Sequence, residues 1–340
     1  MGRVITYHLD KQEYTCDRKA TAGEFLRRRG FSRHVIMHLK HHENTLLLNG
    51  VPVFTNAEVS AGDDLTVIFE DEVPIDQNKR VLPRAMPLNI LYEDEDILIL
   101  NKPPYLPVQP SQGHWEDTLG NGAAYYYQSQ RIPFVYRCVN RLDRNTSGLV
   151  IVSRHIASAS VLYEEMKARA IHRTYLALVQ GKLDPPLPLA REMDRASGEE
   201  MFRYSDKLSA FQAASCSCPT YAIDLPIVRL VEGEIERGVD FVRGKRSVTT
   251  FRRIGYNTKS DTTALLIRLQ TGRTHQIRVH MSYLGFPIAG DGLYGREDSL
   301  KLIPRQALHS LSLDFVHPIS GEMLHFEAPV PHDIQALFDD

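Results

Sequence analysis

The sequence predicts an α+β protein in two parts, a small module of two helices with short strands and a larger domain built on a sheet. Three observations predict this class. The 340 residues include 43% hydrophobic and 24% charged side chains, which is a globular balance. The length suits two domains, each able to bury a core. Short β-rich runs alternate with a few helical segments along most of the chain.

Composition excludes several classes of protein and site. Forty Lys and Arg against 42 Asp and Glu give a net charge of -2, so a nucleic-acid surface must come from local clustering of charge. The only close cysteine pair, Cys216 and Cys218, lacks the spacing of a zinc site, and no metal is expected. No apolar run approaches the roughly 18 residues of a membrane span. The N-terminus lacks the apolar core of a signal peptide, so we expect a cytoplasmic protein without a membrane partner.

The first 70 residues carry clear local signals. Thr21 as N-cap, Glu24 three residues later and Gly30 as the stop predict a short helix. Ser32 begins a second helix, and the Asn49-Gly50 pair predicts a turn between two strands. A first strand near residues 4–9 and a later one over 64–70 complete the module.

Positive charge is concentrated on these two helices. No acidic residue lies between Phe25 and His42, a stretch that contains Arg27, Arg28, Arg29, Arg33 and Lys40 together with four histidines. A basic run can be a solvated helix face. Spread over two consecutive helices, it favours contact with a phosphate backbone. We therefore predict RNA-binding roles for Arg27, Arg28, Arg33 and Lys40.

The predicted boundaries follow composition. Residues 1–71 form the module, and residues 72–87 contain three prolines with mixed charge, which is typical of a linker. The larger domain covers 88–340. Within it, residues 183–220 are rich in Pro, Ser and charge, so we interpret them as an insertion on the rim of the sheet.

Three clusters in the larger domain could carry chemistry. The first places Asp143 between Arg141 and Arg144, a pattern that by itself is often a surface ion pair. The second, residues 262–290, contains several Arg and His residues and no acid, so it needs a bound polyanion or a carboxylate from another segment. The third places Tyr175 at the start of a strand, where an aromatic residue is ordinary.

The motifs of the two parts of the chain resemble those of two known families, one for each part. The module resembles the S4 RNA-binding domain, with matches at Phe25-Leu26, Ser32-Arg33, Leu39-Lys40, Asn49-Gly50, Pro52-Val53 and Gly62 to Leu65. The larger domain resembles the pseudouridine synthases of the RluA family, with matches at Asn101 to Pro103, Arg141 to Leu149, Thr174 to Gly181, Gly272 to His280, Gly285 to Gly295, Ala307 to Pro318 and Phe326 to Pro329. Asn140, Tyr105 and Gln109 stand where the family commonly has His, Gly and His.

The resemblance implies a mixed, mainly antiparallel catalytic sheet and isomerisation of uridine to pseudouridine in RNA, without a cofactor. It identifies Asp143 as the catalytic carboxylate and Arg278 as the cation that pairs with it across the fold. Tyr175 would stack on the uracil, with its hydroxyl near C5. Arg141 would fill the gap left by the extruded base, and Lys102, Arg273 and residues 243–253 would contact phosphates. The run 243–253 is equally compatible with a solvated loop.

Other functions stay open at this point. A non-catalytic RNA-binding or ribosome-assembly factor could keep the same fold. A glycoside or nucleoside hydrolase is disfavoured, because it would ordinarily need two neighbouring carboxylates. The S4-like module favours large-subunit ribosomal RNA over transfer RNA as the target. DNA is not expected as a partner, and a monomer is the default.

Overall fold

The computed structural model describes residues 3–10, 20–41, 44–69, 81–111, 113–202 and 218–339. The predicted α+β class is confirmed by helices packed on predominantly antiparallel sheets. Residues 72–80 of the predicted linker and residues 203–217 of the predicted insertion lie outside the described residues.

The first part of the chain, residues 3–69, is called the N-terminal module below. It contains a four-stranded sheet of order β1-β6-β3-β4, a short β2–β5 pair and two helices. The elements are β1 (Arg3–His8), β2 (Ala20–Thr21), α1 (Ala22–Arg28), α2 (Arg33–His41), β3 (Leu46–Leu48), β4 (Val51–Pro52), β5 (Glu58–Val59) and β6 (Asp64–Phe69). The predicted capping box is present, since the Thr21 side chain accepts from the Glu24 backbone while Glu24 accepts from the Thr21 backbone.

The second part is built on an eleven-stranded sheet with a main order of β12-β13-β16-β17-β11-β18-β10-β8-β7. Its strands are β7 (Ile90–Glu93), β8 (Ile97–Lys102), β9 (Arg137–Cys138), β10 (Ser147–Ser153), β11 (His172–Gln180), β12 (Ala190–Glu192), β13 (Thr220–Asp224), β16 (Val248–Asn257), β17 (Thr262–Leu269), β18 (Leu308–Val316) and β19 (Met323–Glu327). A separate hairpin consists of β14 (Ile227–Arg229) and β15 (Arg237–Val239).

Helices flank this sheet and join it to the N-terminal module. They are α3 (Leu119–Ser129), α4 (Ile156–Ala168), α5 (Arg195–Met201), α6 (Gln276–Tyr283), α7 (Ser299–Leu302) and α8 (His332–Asp339). Ala157 and Val161 of α4 are buried in the same hydrophobic cluster as Phe25, Leu26 and Leu39 of the module. The backbone N–H of Ser32 also donates to Ser160 Oγ at 2.7 Å. The module is therefore packed on α4.

The centre of the sheet contains a parallel contact between β10 and β18, and this contact positions the chain just after Asp143. Gly148 pairs with Ser310 at a φ of +108°. A Cβ atom at Gly148 would lie 2.2 Å from the Ser310 carbonyl oxygen. Only glycine combines this backbone conformation with so close an approach of two strands.

The prediction for residues 183–220 needs a correction. Its described residues do lie at the rim, but they join the sheet: β12 pairs with β13 at the edge, and Leu183 and Phe202 are buried in the main hydrophobic cluster. The density of Pro, Ser and charge in this segment concealed the apolar residues that anchor it. Within the described parts of the chain, we find no helix with the length and apolarity needed to cross a bilayer.

Candidate active site

Asp143 lies on a tight turn between β9 and β10. The backbone N–H of Thr146 donates to the Asp143 carbonyl at 3.1 Å, which closes the turn. The carboxylate is half-buried, with 27% of the side chain exposed. Asn140 anchors the segment before the turn, because its amide donates to the Leu149 carbonyl and its oxygen accepts from the Ile151 backbone N–H. At this position, the amide therefore ties the segment before the Asp143 turn to β10.

Two buried cations hold the backbone of the Asp143 turn. The Lys102 ammonium donates to the carbonyls of Pro103, Leu106 and Arg144 at 2.8, 2.8 and 2.9 Å. Arg305 donates to the Asn145 carbonyl at 3.3 Å and forms a two-bond ion pair with Asp333 of α8. Both side chains are fully or almost fully buried. They fix the turn by satisfying carbonyl groups that would otherwise be buried without a donor.

The prediction that Lys102 contacts a phosphate is therefore wrong. Its side chain is inaccessible to a ligand, and each of its three hydrogens already has a carbonyl acceptor. Burial, together with the positive charge of Arg305, lowers the pKa of Lys102 to about 7. Lys102 belongs to the support of the site rather than to its surface.

Arg278 connects two carboxylates at the base of the site. Its Nε and Nη2 donate to Asp291 at 2.7 and 2.8 Å, and its Nη1 donates to Asp143 Oδ2 at 3.1 Å. Burial lowers the pKa of a guanidinium, but the hydrogen bonds and charges of Asp291 and Asp143 outweigh that effect and raise the Arg278 pKa. For Asp291, burial raises the pKa of the carboxyl group. The hydrogen bonds and charge of Arg278 outweigh this effect, so the pKa of Asp291 lies below its ordinary value. The contact predicted between Asp143 and Arg278 is present.

A histidine also faces Asp143. His275, the N-cap of α6, has a left-handed backbone at φ 58°, and its Nε2 lies 4.0 Å from Asp143 Oδ2. Its Nδ1 lies 2.8 Å from the Tyr294 hydroxyl, and the Arg278 guanidinium lies 5.0 Å from the centre of the Tyr294 ring. Desolvation is the main cause that lowers the pKa of His275.

A cleft of about 1090 Å³ opens above these groups. It exceeds the roughly 300–1,000 Å³ of pockets that hold small ligands, so it has room for a nucleotide with flanking backbone. Tyr175 lies in its wall, 4% exposed, at a β-bulge between β11 and β18. A smaller extension of about 70 Å³ is lined by Asp143, Tyr175, His275 and Arg278. The structure thus brings together all three residues predicted to carry the reaction.

The residues predicted to bind RNA fall into two groups. Arg141 and Arg273 are exposed and line the cleft. Arg27, Arg28, Arg33 and Lys40 are exposed on the module helices, as are Glu24, His34 and Met37. The run 243–253 is a solvated loop only in its first part, where Arg243 pairs with Asp240 and Arg246 pairs with Asp224. Residues 248–253 instead belong to strand β16, and Arg252 is buried.

A group of potential metal ligands lies away from the cleft. Asp94, Asp96 and His317 place their ligand atoms within 4.8 Å of one another. Asp96 already accepts from Arg3 of β1 and pairs with His155, and Asp94 pairs with His317. Although burial raises the pKa of Asp96, the His155 and Arg3 partners lower it overall. These carboxylates act as an ion-pair junction between β1 and the larger sheet.

Sequence reasoning missed Asp291, His275 and Arg305 as residues of this site and gave Lys102 the wrong role. Asp291 and His275 lie in quoted motifs, but their contacts with Arg278 and Asp143 join segments far apart in the chain. For Lys102 and Arg305, the sequence shows the positive charge but not the burial of the side chain. A Lys immediately after an apolar strand, as in β8, is the feature that could have indicated burial.

Comparisons with known proteins agree with this geometry. A family profile described as RNA pseudouridylate synthase matches residues 96–283. An uncharacterized RNA pseudouridine synthase of Bacillus subtilis is 35% identical over 93% of this chain and 98% of its own. The ribosomal large subunit pseudouridine synthase D of Xanthomonas campestris is 34% identical over 86% of this chain and 79% of its own.

A solved structure supports the fold. The human RNA pseudouridylate synthase domain containing 1 protein aligns with a TM-score of 0.53 and 24% identity, over 74% of this chain and 87% of its own. The family profile covers more than half of the chain and includes the Asp143 turn, Tyr175 and Arg278. The chain therefore belongs to the RNA pseudouridylate synthase family and is an RNA pseudouridine synthase, an isomerase.

Proposed function

We propose that this enzyme converts a uridine of large-subunit ribosomal RNA to pseudouridine, with Asp143 as its catalytic carboxylate. The observation that carries the proposal is the chain of contacts from Asp143 through Arg278 to Asp291 at the base of a nucleotide-sized cleft. A carboxylate held by a buried guanidinium at the floor of a cleft is suited to act on a bound group.

The reaction breaks the N1–C1′ bond of uridine, turns the uracil, and joins C5 to C1′. C5 loses a proton and N1 gains one, so atoms balance without a cofactor. Asp143 acts on the sugar in its ionised form, either by attack on carbon or by removal of a proton. Arg278 stabilises that form by direct hydrogen bonding, and Asp291 fixes the guanidinium in the orientation needed.

Tyr175 and Arg141 act on the base. Tyr175 lies in the wall shared by the cleft and its smaller extension, where its ring can stack on the uracil. Its hydroxyl is the group we assign to proton transfer at C5. Arg141 is exposed at the cleft and fills the space that the uridine leaves when it turns out of its helix. Arg273, which is also exposed at the cleft, binds phosphate.

The choice of RNA rests on the relatives and on the module. Several relatives at 31–34% identity are named as ribosomal large subunit pseudouridine synthases. The S4-like module presents exposed Arg27, Arg28, Arg33 and Lys40, which suit the backbone of a structured RNA. We infer a cytoplasmic monomer that acts on RNA and not on DNA.

Asp143→Asn tests the catalytic assignment, because it keeps the shape of the side chain and removes its charge. Tritium release from transcribed large-subunit RNA labelled at uridine C5 should fall below detection, whereas RNA affinity should change less than about threefold. Asp298→Asn, an exposed aspartate before α7, is the matched control and should retain full activity. Substantial release by Asp143→Asn would refute the assignment.

The target and the non-catalytic alternative are tested together. Pseudouridines are mapped in total RNA from cells with and without the gene, and we expect one or a few large-subunit positions to lose modification. Loss at transfer RNA positions alone would refute the ribosomal target. No change in any RNA, together with no tritium release by the wild type, would favour a non-catalytic RNA-binding factor.

A further inference from the structure

His275 has no assigned role in the reaction, although it faces the Asp143 carboxylate from the start of α6. Its Nε2 lies 4.0 Å from Asp143 Oδ2, and 12% of its side chain is exposed. Both atoms border the small extension of the cleft. The distance is too long for a hydrogen bond between them. A gap of this length between two polar groups at a substrate site leaves room for a third atom.

The hydrogen bonds of Tyr294 determine which nitrogen of His275 carries the proton. The Tyr294 hydroxyl accepts from the backbone N–H of Arg237 at 2.9 Å and lies 2.8 Å from His275 Nδ1. The hydroxyl oxygen can accept more than one hydrogen bond, so the Arg237 contact alone does not fix the direction of the hydrogen. Among the described residues, His275 Nδ1 is the one acceptor within hydrogen-bond distance of this hydroxyl, so the hydrogen is directed to Nδ1. Nδ1 is then an acceptor, and a neutral imidazole must carry its proton on Nε2. The N–H of Nε2 faces Asp143.

The charges around the ring favour this neutral form. Asp143 on the turn and Asp291 after α6 attract a proton to the imidazole, whereas Arg278 on α6 and Arg237 on β15 repel one. Desolvation also opposes the charged form, and the net effect lowers the pKa of His275. Near neutral pH, His275 therefore offers a single N–H donor beside a carboxylate acceptor.

A hydroxyl group matches this pair of atoms. An oxygen about 2.8 Å from both Nε2 and Oδ2 can accept from the first and donate to the second, and such an oxygen fits a 4.0 Å separation. Inside an RNA chain, the 3′ and 5′ oxygens of ribose are esterified to phosphate, so the 2′-hydroxyl is the only hydroxyl of the sugar. It is bonded to C2′, which adjoins the reacting C1′.

We propose that His275 is a specificity-determining residue that binds the ribose 2′-hydroxyl of the target uridine through Nε2–H, together with Asp143. This inference rests on the proposed function, since it takes Asp143 as the group that acts on the sugar. It also gives the β14–β15 hairpin a role, because the Arg237 backbone N–H orients Tyr294 and thereby His275. The 2′-hydroxyl distinguishes RNA from DNA, so His275 contributes to that choice.

The first experiment needs no RNA. Two-dimensional ¹⁵N–¹H spectra of histidine-labelled full-length protein at neutral pH should show His275 neutral and protonated on Nε2, with its signals assigned by their loss in His275→Asn. Tyr294→Phe removes the donor to Nδ1, and the His275 signals should shift toward a mixture of tautomers. Tyr283→Phe at the exposed end of α6 is the matched control and should leave them unchanged. A His275 protonated on Nδ1, or charged at neutral pH, would overturn the inference.

The second experiment is a cycle of enzyme and substrate changes. Asn is tolerated in a left-handed backbone, so His275→Asn should have the same melting temperature as the wild type. Its side chain is too short to place a donor where His275 Nε2 lies. Conversion is measured under single turnover on an RNA with uridine or 2′-deoxyuridine at the modified position. Each single change should slow conversion by about tenfold or more, as expected for one lost hydrogen bond at a charged group, and the two together should slow it no further.

The outcomes separate this inference from the proposed function. Losses that multiply in the double change would show that His275 does not bind the 2′-hydroxyl, and would leave the proposed function intact. A wild type that releases no tritium from uridine RNA would refute the proposed function, while the spectra would still report the tautomer. If the deoxyuridine RNA is not converted at all, the same cycle is run on its dissociation constant, with the same expected absence of additivity.

Discussion

Positive charge has opposite uses in two regions of this molecule. Around the Asp143 turn, Lys102, Arg278 and Arg305 are buried, and each is held by carbonyl or carboxylate groups. On the N-terminal module, Arg27 and Arg28 are exposed on the surface of a helix whose other side is packed in a core. The residue types are the same. Their surroundings decide whether the charge fixes geometry or attracts a partner through the solvent.

The difference has an energetic consequence. A buried cation cannot be removed without leaving its acceptors unsatisfied in a low-dielectric interior, so its loss is costly and local. An exposed cation adds a small amount to the free energy of RNA binding, and salt screens this contribution. Substitutions at the turn should therefore change catalysis and stability, and substitutions on the module should change RNA affinity and its salt dependence.

Arg278→Ala should give the largest effect. It leaves Asp291 buried without its partner and Asp143 without its donor. We expect activity to fall at least about 100-fold and the free energy of unfolding to fall by about 3–5 kcal/mol. Tritium release and urea unfolding measure the two losses. Arg191→Ala, at an exposed arginine on the edge strand β12, is the control and should alter neither by more than about twofold or 0.5 kcal/mol.

Lys102→Met should give the next largest effect. The side chain keeps most of its length but no longer donates to the carbonyls of Pro103, Leu106 and Arg144, so the Asp143 turn loses its fixed position. We expect kcat to fall about 10- to 100-fold with less than a twofold change in RNA affinity. The opposite pattern, weaker binding with normal kcat, would mean that Lys102 reaches RNA and that the two regions do not differ as described.

Alanine at Arg27, Arg28, Arg33 or Lys40 should give smaller and cumulative effects. Each change should weaken RNA binding a few-fold and lower the slope of log affinity against log salt by about one, with kcat unchanged. Equilibrium binding over a range of salt concentrations tests this expectation. Unchanged salt slopes in all four variants would remove the module helices from the RNA interface.

Glu165→Gln on α4 extends the comparison to a partly buried acidic residue. Desolvation raises the pKa of Glu165 to about 7, so the folded state binds its proton more tightly than the unfolded state does. Stability is therefore lost as pH rises from about 4.5 to about 7, and the loss is complete once pH exceeds the pKa of the folded state. We expect the variant to be more stable than wild type by about 1–2 kcal/mol at pH 8 and to show little difference at pH 5. Equal stabilisation at both pH values would contradict this.

Local signals and the family resemblance made different parts of the molecule predictable. The capping box at Thr21 and Glu24 and the turn at Asn49-Gly50 involve neighbouring residues, and the structure contains both. The contact between Asp143 and Arg278 spans 135 positions in the chain and was expected only because motifs resembled those of a family. The roles of these residues stay predictions.

Burial was the property that the sequence did not reveal. The charge of Lys102 is visible in the sequence and predicts a phosphate contact. The three carbonyls around it are not visible there, because they come from the Pro103–Leu106 segment and from the distant Asp143 turn. His275 precedes α6 and Tyr294 follows it, and the two side chains come into contact because the chain after α6 folds back. The backbone N–H of Arg237, on a separate hairpin, donates to the same Tyr294 hydroxyl. Such arrangements depend on the whole fold being in place.

The packing of the N-terminal module on α4 limits how this protein can be shortened or recombined. Ala157 and Val161 are almost fully shielded from water by the module, and Tyr163, Met166 and Lys167 near the other end of the same helix border the cleft. Deleting the first 80 residues would expose an apolar stripe on the helix that carries one cleft wall, which favours aggregation. A module transplanted from another protein would have to complement the same two small side chains.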